Sequence, residues 1–174
     1  MLRIDERVVR AGPERCFLVA ADVERWPELL PHYRHVQFHR KDAFGCGRVE
    51  MAAWRYFGPL RYPTWWVSDM ESDRVEPIVR YRHVDGITRG MDVRWEFLPH
   101  PGGSRVRIVH EWVGPAWPVV GTFAADYVIG PGFVSAIAQR TLAGVGAQAE
   151  RLERNARPRE TRDARAGDNA EGRT

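Results

Sequence analysis

His110 is a candidate for acid–base chemistry in the interior of the protein. It shares one face of a predicted strand with Val106, Ile108 and Trp112, because alternate residues of a strand point to the same side. A neutral imidazole on that apolar face could exchange protons near pH 7. The same position also suits a histidine that is hydrogen-bonded inside the core, so both interpretations stay open.

Other familiar catalytic and metal-binding arrangements find little support. Ser68 lies in no GxSxG motif and has no fixed histidine and aspartate partners, which argues against a hydrolase triad. His32, His35 and His39 are three and four residues apart, so a strand places them on both of its faces. The chain contains neither a GxGxxG motif nor a P-loop. We therefore expect no metal and no cofactor.

Tryptophan is the most prominent residue type, with seven in 174 residues. Trp66 and Trp95 fall on the apolar faces of predicted strands. Each could be an ordinary core residue, but together they favour the wall of a cavity, because large rings can line interior volume that smaller side chains leave empty. A few polar groups in such a cavity would suit a planar or isoprenoid ligand.

The elements that position these residues are predicted by periodicity. Alternation with a period of two runs over residues 33–112, with breaks at turn residues, and predicts about six antiparallel strands. In residues 91–97, Met, Val, Trp and Phe share one face and the charged side chains share the other. A further strand is predicted at residues 2–9, a helix at residues 13–21, and a second short helix that begins at Asp22, carries residues 26–30 and stops at Pro31.

The last third of the chain changes to a helical period. Apolar residues recur three or four apart up to Leu152 and predict a long C-terminal helix, which Pro131 should kink or divide. The segment 117–133 is either a lid over the cavity or the N-terminal half of that helix. From residue 155 onward almost nothing is apolar, so we expect one domain over residues 1–154 and a disordered polar tail over residues 155–174.

Composition limits the partners and the location. The net charge is +3, but 26 cationic residues are interleaved with 23 acidic ones, so we expect no nucleic-acid partner. Cys16 and Cys46 lack metal-ligand spacing and no apolar leader begins the chain, which favours the cytoplasm. No apolar run approaches the roughly 18 to 20 residues of a transmembrane helix, so only peripheral membrane contact is left open. The oligomeric state stays open.

Five local motifs, in this order of elements, resemble the polyketide cyclase/dehydrase and coenzyme Q-binding branch of the START-like (SRPBCC) superfamily. They are Ala11-Gly12-Pro13-Glu14, Asp22-x-x-x-Trp26-Pro27-Glu28-Leu29-x-Pro31, Gly86-x-x-x-x-Met91-x-x-x-Trp95, Gly103-Ser104-x-Val106 and Arg140-Thr141-Leu142. The resemblance covers about residues 2 to 153. It implies an α+β helix-grip fold, in which a curved antiparallel sheet of about seven strands wraps around a long C-terminal helix, with two short helices after the first strand.

The resemblance also implies a cavity between the sheet and the long helix. Carried over to this chain, the ligand-binding residues are Trp26, Tyr33, Trp66, Ser68, Met70, Arg82, Met91, Trp95 and His110. The predicted ligand-binding residues also include Trp112, on the strand face of His110, and Phe123 and Tyr127, in the segment 117–133. Similar aromatase/cyclases carry an arginine two residues after a pocket serine, where this chain has Met70. Arg82 matches a second pocket arginine, but the strand period turns Tyr81 and His83 inward and Arg82 outward. The two arguments disagree at this strand.

The function expected from these features is the binding of a small hydrophobic molecule, such as a polyketide, a quinone, a lipid or a related aromatic compound. One alternative is a polyketide aromatase/cyclase or dehydratase in which Tyr33, Arg82 and His110 move protons or stabilise an enolate. Another is a carrier or chaperone for quinone or lipid with no chemistry of its own. The sequence leaves open whether the protein is an enzyme.

Overall fold

The computed structural model describes residues 1–57, 59–114 and 134–171, with side chains up to residue 156 other than those of residues 57 and 60. Seven strands, a 3₁₀ turn and three helices make up the described part. In chain order they are β1 (Leu2–Val9), α1 (Pro13–Ala21), the 3₁₀ turn (Val23–Arg25), α2 (Trp26–Leu29), β2 (Tyr33–Lys41), β3 (Gly47–Phe57), β4 (Leu60–Asp73), β5 (Ile78–Gly86), β6 (Asp92–His100), β7 (Gly103–Glu111) and α3 (Ser135–Glu171).

The strands form one antiparallel sheet in the order β1-β7-β6-β5-β4-β3-β2. Strands β2 to β7 therefore follow one another as a meander, and β1 joins the far side of β7 with Leu2 opposite Glu111 and Val9 opposite Ser104. This architecture confirms the predicted helix-grip fold, with its curved sheet, two short helices after β1 and a long C-terminal helix.

The core lies between the sheet and the helices. Along β6, Val93, Trp95 and Phe97 are buried while Asp92 is exposed, as the period of two predicts. Helix α3 packs on β1 and on α1. A side chain at Gly144 would clash with Leu30, so this glycine allows α3 to approach the end of α2 closely.

Three predictions concern segments that the structure describes only in part: the lid, the domain boundary and the disordered tail. The segment 117–133, with Pro131, lies outside them, and the structure describes α3 from Ser135. Helix α3 continues to Glu171, so the domain boundary placed after residue 154 falls within it. The disorder of residues 155–174 stays a prediction.

Candidate ligand-binding site

A cavity of about 80 Å³ lies between the concave face of the sheet and α3. Three tryptophans, Trp26, Trp66 and Trp95, lie in the wall of this cavity and do not fill it. Among the described residues, its lining consists of Trp26, Tyr33, Met51, Trp66, Tyr81, His83, Thr88, Met91, Val93, Trp95, Ile108, His110, Val134, Ile137, Ala138 and Thr141.

One side of the cavity is a cluster of aromatic rings. Trp26 packs edge-on against Tyr33 with the ring centres 5.0 Å apart, and its centre lies 5.8 Å from that of Trp95. Tyr33 in turn contacts Trp66 edge-on at 6.2 Å. The indole nitrogen of Trp26 donates to the carbonyl oxygen of Val19 at 3.4 Å, which ties this ring to α1. These contacts hold flat apolar surfaces at fixed angles around the hollow.

His83 contributes a polar group that is already hydrogen-bonded. Its ring stacks on Trp66 with 6.0 Å between centres and 14° between planes, and its Nδ1 is hydrogen-bonded to Thr88 Oγ1 at 2.6 Å. Burial, assisted by the nearby His110, lowers the pKa of His83 to about 3. The imidazole is therefore neutral at pH 7.

His110 lies beside a buried carboxyl group from β1. Its Nδ1 is 3.9 Å from Asp5 Oδ2, which is too far for a hydrogen bond. Neither of these two buried atoms has a hydrogen-bond partner within the described part of the chain. Burial lowers the pKa of His110 to about 4, an effect that Asp5 opposes and Arg3 reinforces. This histidine too is neutral at pH 7.

Helix α3 holds Asp5 in place. Ser135 Oγ donates a short hydrogen bond to Asp5 Oδ1, and Gln139 Nε2 donates to the same oxygen at 2.9 Å. One oxygen of the carboxyl group is thus fixed by the helix, and the other faces His110. The arrangement links the last helix to the first strand and to the cavity.

Two tyrosines add hydroxyl groups to the lining. Burial raises the pKa of Tyr33, which Thr141 opposes only in part, and burial with the nearby Tyr33 raises the pKa of Tyr81 well above its ordinary value. Both hydroxyls stay protonated at neutral pH. The Tyr81 Oη has no hydrogen-bond partner among the residues that the structure describes.

The described lining is electrically neutral at pH 7. It contains no aspartate, glutamate, lysine or arginine, and its two histidines are uncharged. The cavity therefore suits a neutral molecule that is mostly apolar and has a few hydrogen-bonding groups.

The structure places six of the predicted site residues in the lining, namely Trp26, Tyr33, Trp66, Met91, Trp95 and His110. Ser68 and Met70 are buried but are not lining residues. Trp112 is also buried outside the lining, and its indole nitrogen donates to the carbonyl oxygen of Arg89 at 3.0 Å. Phe123 and Tyr127 lie outside the described residues. The part that these residues play in binding stays a prediction.

The inward placement of Arg82 is wrong. Its side chain is 59% exposed and forms an ion pair with Asp92 on the neighbouring strand. Tyr81 and His83 face the cavity instead, as the period of β5 predicts. A guanidinium group avoids an apolar interior because burying an unpaired charge costs several kcal/mol.

Residues of the site that were not singled out from the sequence differ in how well a local pattern indicates them. Tyr81 and His83 could be found from the strand period, but Thr88 lies in the turn after β5, where no period applies. Asp5, which is not a lining residue but lies beside His110, follows an apolar residue in an irregular pattern, and its burial depends on α3.

The three histidines around β2 lie in different surroundings. His32 is buried and hydrogen-bonded to Thr141 at 3.0 Å, whereas His35 and His39 contact Glu50 on the surface at 3.1 and 3.0 Å. Within residues 1–57, 59–114 and 134–171, no three histidine, cysteine or acidic side chains are grouped so as to hold a metal ion. None of the described helices has the apolar length that crossing a bilayer requires.

The fold and the cavity define a START-like helix-grip protein. A family model described as polyketide cyclase/dehydrase and lipid transport matches residues 9–126. Because the match spans more than half of the chain, the protein belongs to this family. No curated protein shows significant similarity to the chain.

Solved structures share the fold at low sequence identity. A protein from Thermus thermophilus is 20% identical with a TM-score of 0.70, and the match covers 86% of this chain and 97% of that one. The Zhui aromatase/cyclase of a Streptomyces species is 18% identical with a TM-score of 0.71, covering 87% and 95%. A START superfamily protein from Mycobacterium smegmatis is 16% identical with a TM-score of 0.57, covering 89% and 98%.

Proposed function

We propose that the protein binds a small, neutral, hydrophobic molecule in the cavity between the sheet and α3. The observation that carries this proposal is the hollow itself, lined by aromatic rings and methionines and free of charged side chains in its described part. Burying the apolar surface of a ligand there contributes about 25 cal/mol per Å² before the costs of association. The family description, which covers both cyclases and lipid transport, agrees with such a ligand.

A ring compound with a carbonyl group fits this cavity best, and a polyketide or a quinone is of this kind. Flat rings match the tryptophan surfaces. The Tyr81 hydroxyl, which has no partner within residues 1–57, 59–114 and 134–156, can donate a hydrogen bond to a carbonyl oxygen. Typical small-molecule pockets measure about 300–1,000 Å³, so a ligand of several rings has to displace side chains. Met51 and Met91 are flexible enough to move.

Native mass spectrometry and solvent extraction of the purified protein test this proposal directly. We expect a bound neutral molecule, or uptake of an added naphthoquinone that quenches tryptophan fluorescence. Protein that carries nothing and takes up neither quinones nor lipids at millimolar concentration would contradict the proposal. A cytoplasmic location, which the free cysteines Cys16 and Cys46 favour, belongs to the same proposal.

A second candidate function is acid–base catalysis on the bound molecule, favoured by the position of Asp5 beside His110. A neutral His110 can accept a proton from a carbon next to a carbonyl group, and a tyrosine hydroxyl can donate to the oxygen of the resulting enolate. Asp5 would stabilise the imidazolium that forms. Arg82 takes no part in this version, because it lies on the outer face of the sheet.

Turnover of a linear poly-ketone separates this candidate from a carrier. If the protein is a cyclase or dehydratase, His110→Gln abolishes turnover while ligand affinity is kept, and Asp5→Asn lowers it. A protein that binds the compound and returns it unchanged is a carrier without chemistry.

A further inference from the structure

The outer face of the sheet carries arginine and tryptophan side chains that lie outside the cavity. The guanidinium carbon of Arg34 is 4.7 Å from the centre of the Trp54 ring, and that of Arg61 is 4.8 Å from the same centre. Trp65 lies on the same face by strand register and is 49% exposed. We name Arg34, Trp54, Arg61 and Trp65 the Arg–Trp surface.

This surface is the reverse side of the cavity wall. Alternate residues of a strand point to opposite faces, so Trp66 lines the cavity while Trp65 faces outward, and Tyr33 lines it while Arg34 faces outward. Ligand binding in the cavity therefore does not account for the exposed side chains of the Arg–Trp surface.

Within the described part of the chain, no carboxyl group neutralises the charge of the Arg–Trp surface. Residues 51–68 contain no acidic residue. Among the described residues, neither Arg34 nor Arg61 forms an ion pair, whereas Arg48 on the same face pairs with Asp69 at 2.8 Å. The adjacent carboxyl group on β3, that of Glu50, is engaged by two histidines. Two cations held against one ring attract an anionic surface.

We propose that the Arg–Trp surface binds the headgroup layer of an anionic phospholipid bilayer. Guanidinium groups pair with lipid phosphates, and exposed tryptophan and tyrosine side chains prefer the boundary between membrane and water. Two arginines are fewer than the roughly six to ten phosphate contacts that are typical of nucleic-acid binding, so a bilayer is the better match.

Sedimentation with phospholipid vesicles tests this proposal on the full chain. We expect binding to phosphatidylcholine vesicles that contain phosphatidylglycerol, little binding to phosphatidylcholine alone, and release as salt is raised. The double variant R34Q/R61Q should lower the partition coefficient about thirtyfold, and R34K/R61K should keep most of it. W65S should lower it at unchanged net charge.

The matched control is R74Q/R80Q, which removes the same charge from exposed positions near the opposite end of β4. It should bind vesicles as the wild type does. An equal loss in both double variants, or no dependence on phosphatidylglycerol, would overturn the proposal, as would retention on DNA without binding to vesicles. Titration of R34Q/R61Q with naphthoquinone should give wild-type affinity, so failure of the cavity proposal and failure of this one are distinguishable.

Discussion

The variant Tyr81→Phe should raise stability and lower ligand affinity. The Tyr81 hydroxyl is buried and has no hydrogen-bond partner in the described part of the chain, and an unsatisfied buried donor costs about 1–3 kcal/mol. Removing it should therefore raise the free energy of unfolding of the ligand-free protein by about 1 kcal/mol, which is roughly 2–4 °C in Tm for a chain of this length.

The same substitution should weaken the binding of a carbonyl compound. Loss of one hydrogen bond to the ligand costs about 0.5–1.5 kcal/mol, or roughly 2- to 13-fold in Kd. A hydrocarbon of the same shape offers no acceptor, so its affinity should not fall. Thermal unfolding of the ligand-free protein, with fluorescence titrations of naphthoquinone and naphthalene, measures all three quantities.

Tyr33→Phe is the matched control, because this tyrosine is equally buried but its hydroxyl interacts with Thr141. It should give no gain in stability. A lower Tm for Tyr81→Phe, together with unchanged affinity for naphthoquinone, would refute the reasoning, since it would mean that the hydroxyl is satisfied within the protein and makes no bond to the ligand.

The remaining predictions concern other side chains of the cavity and of the sheet. Trp95→Ala should weaken the binding of naphthoquinone by about tenfold in the fluorescence titration, whereas Trp65→Ala should leave it unchanged. A large loss of Tm with unaltered affinity would make Trp95 a core residue. Arg82→Ala should leave ligand affinity unchanged and cost less than about 1 kcal/mol of stability in urea unfolding, because an exposed ion pair contributes little. Folding lowers the pKa of His83 and His110 to about 3 and about 4. Their contribution to stability is therefore complete above the unfolded pKa near 6.5 and is lost as pH falls toward those values. Urea unfolding should show a lower free energy of unfolding at pH 5 than at pH 7, and His83→Gln should reduce this difference.

The fold could be predicted because its signals are local. The turn at residues 100–103 separates β6 from β7 as its proline and glycines indicate, and the charged and apolar faces of β6 are clear in the sequence. The pairing of β1 with β7 joins the first strand of the chain to the last, residues 2–9 with residues 104–111. Periodicity does not indicate such a pairing, because the two strands are far apart in the sequence.

The site was predicted in part, and the errors have a physical cause. At β5 the strand period placed Tyr81 inward correctly, while the correspondence with a family placed Arg82 there incorrectly. In β1, alternation places Asp5 on the same face as Arg3 and Arg7, and this charged group gives no sign that Asp5 is buried. Helix α3 covers that face, and Asp5 is bonded to Gln139, 134 residues away. Burial that depends on such a distant contact leaves no local pattern.

The contacts of the two cavity histidines distinguish their roles. His83 Nδ1 is occupied by Thr88 and its ring is stacked on Trp66, so it is held as part of the wall. His110 Nδ1 is free of hydrogen bonds within the described residues and faces the second oxygen of Asp5. A proton taken up by His110 would place a positive charge beside that carboxyl group, which opposes the lowering of the His110 pKa. For His83, burial and the nearby His110 both lower the pKa. His110 rather than His83 is therefore the base in the proposal of acid–base catalysis.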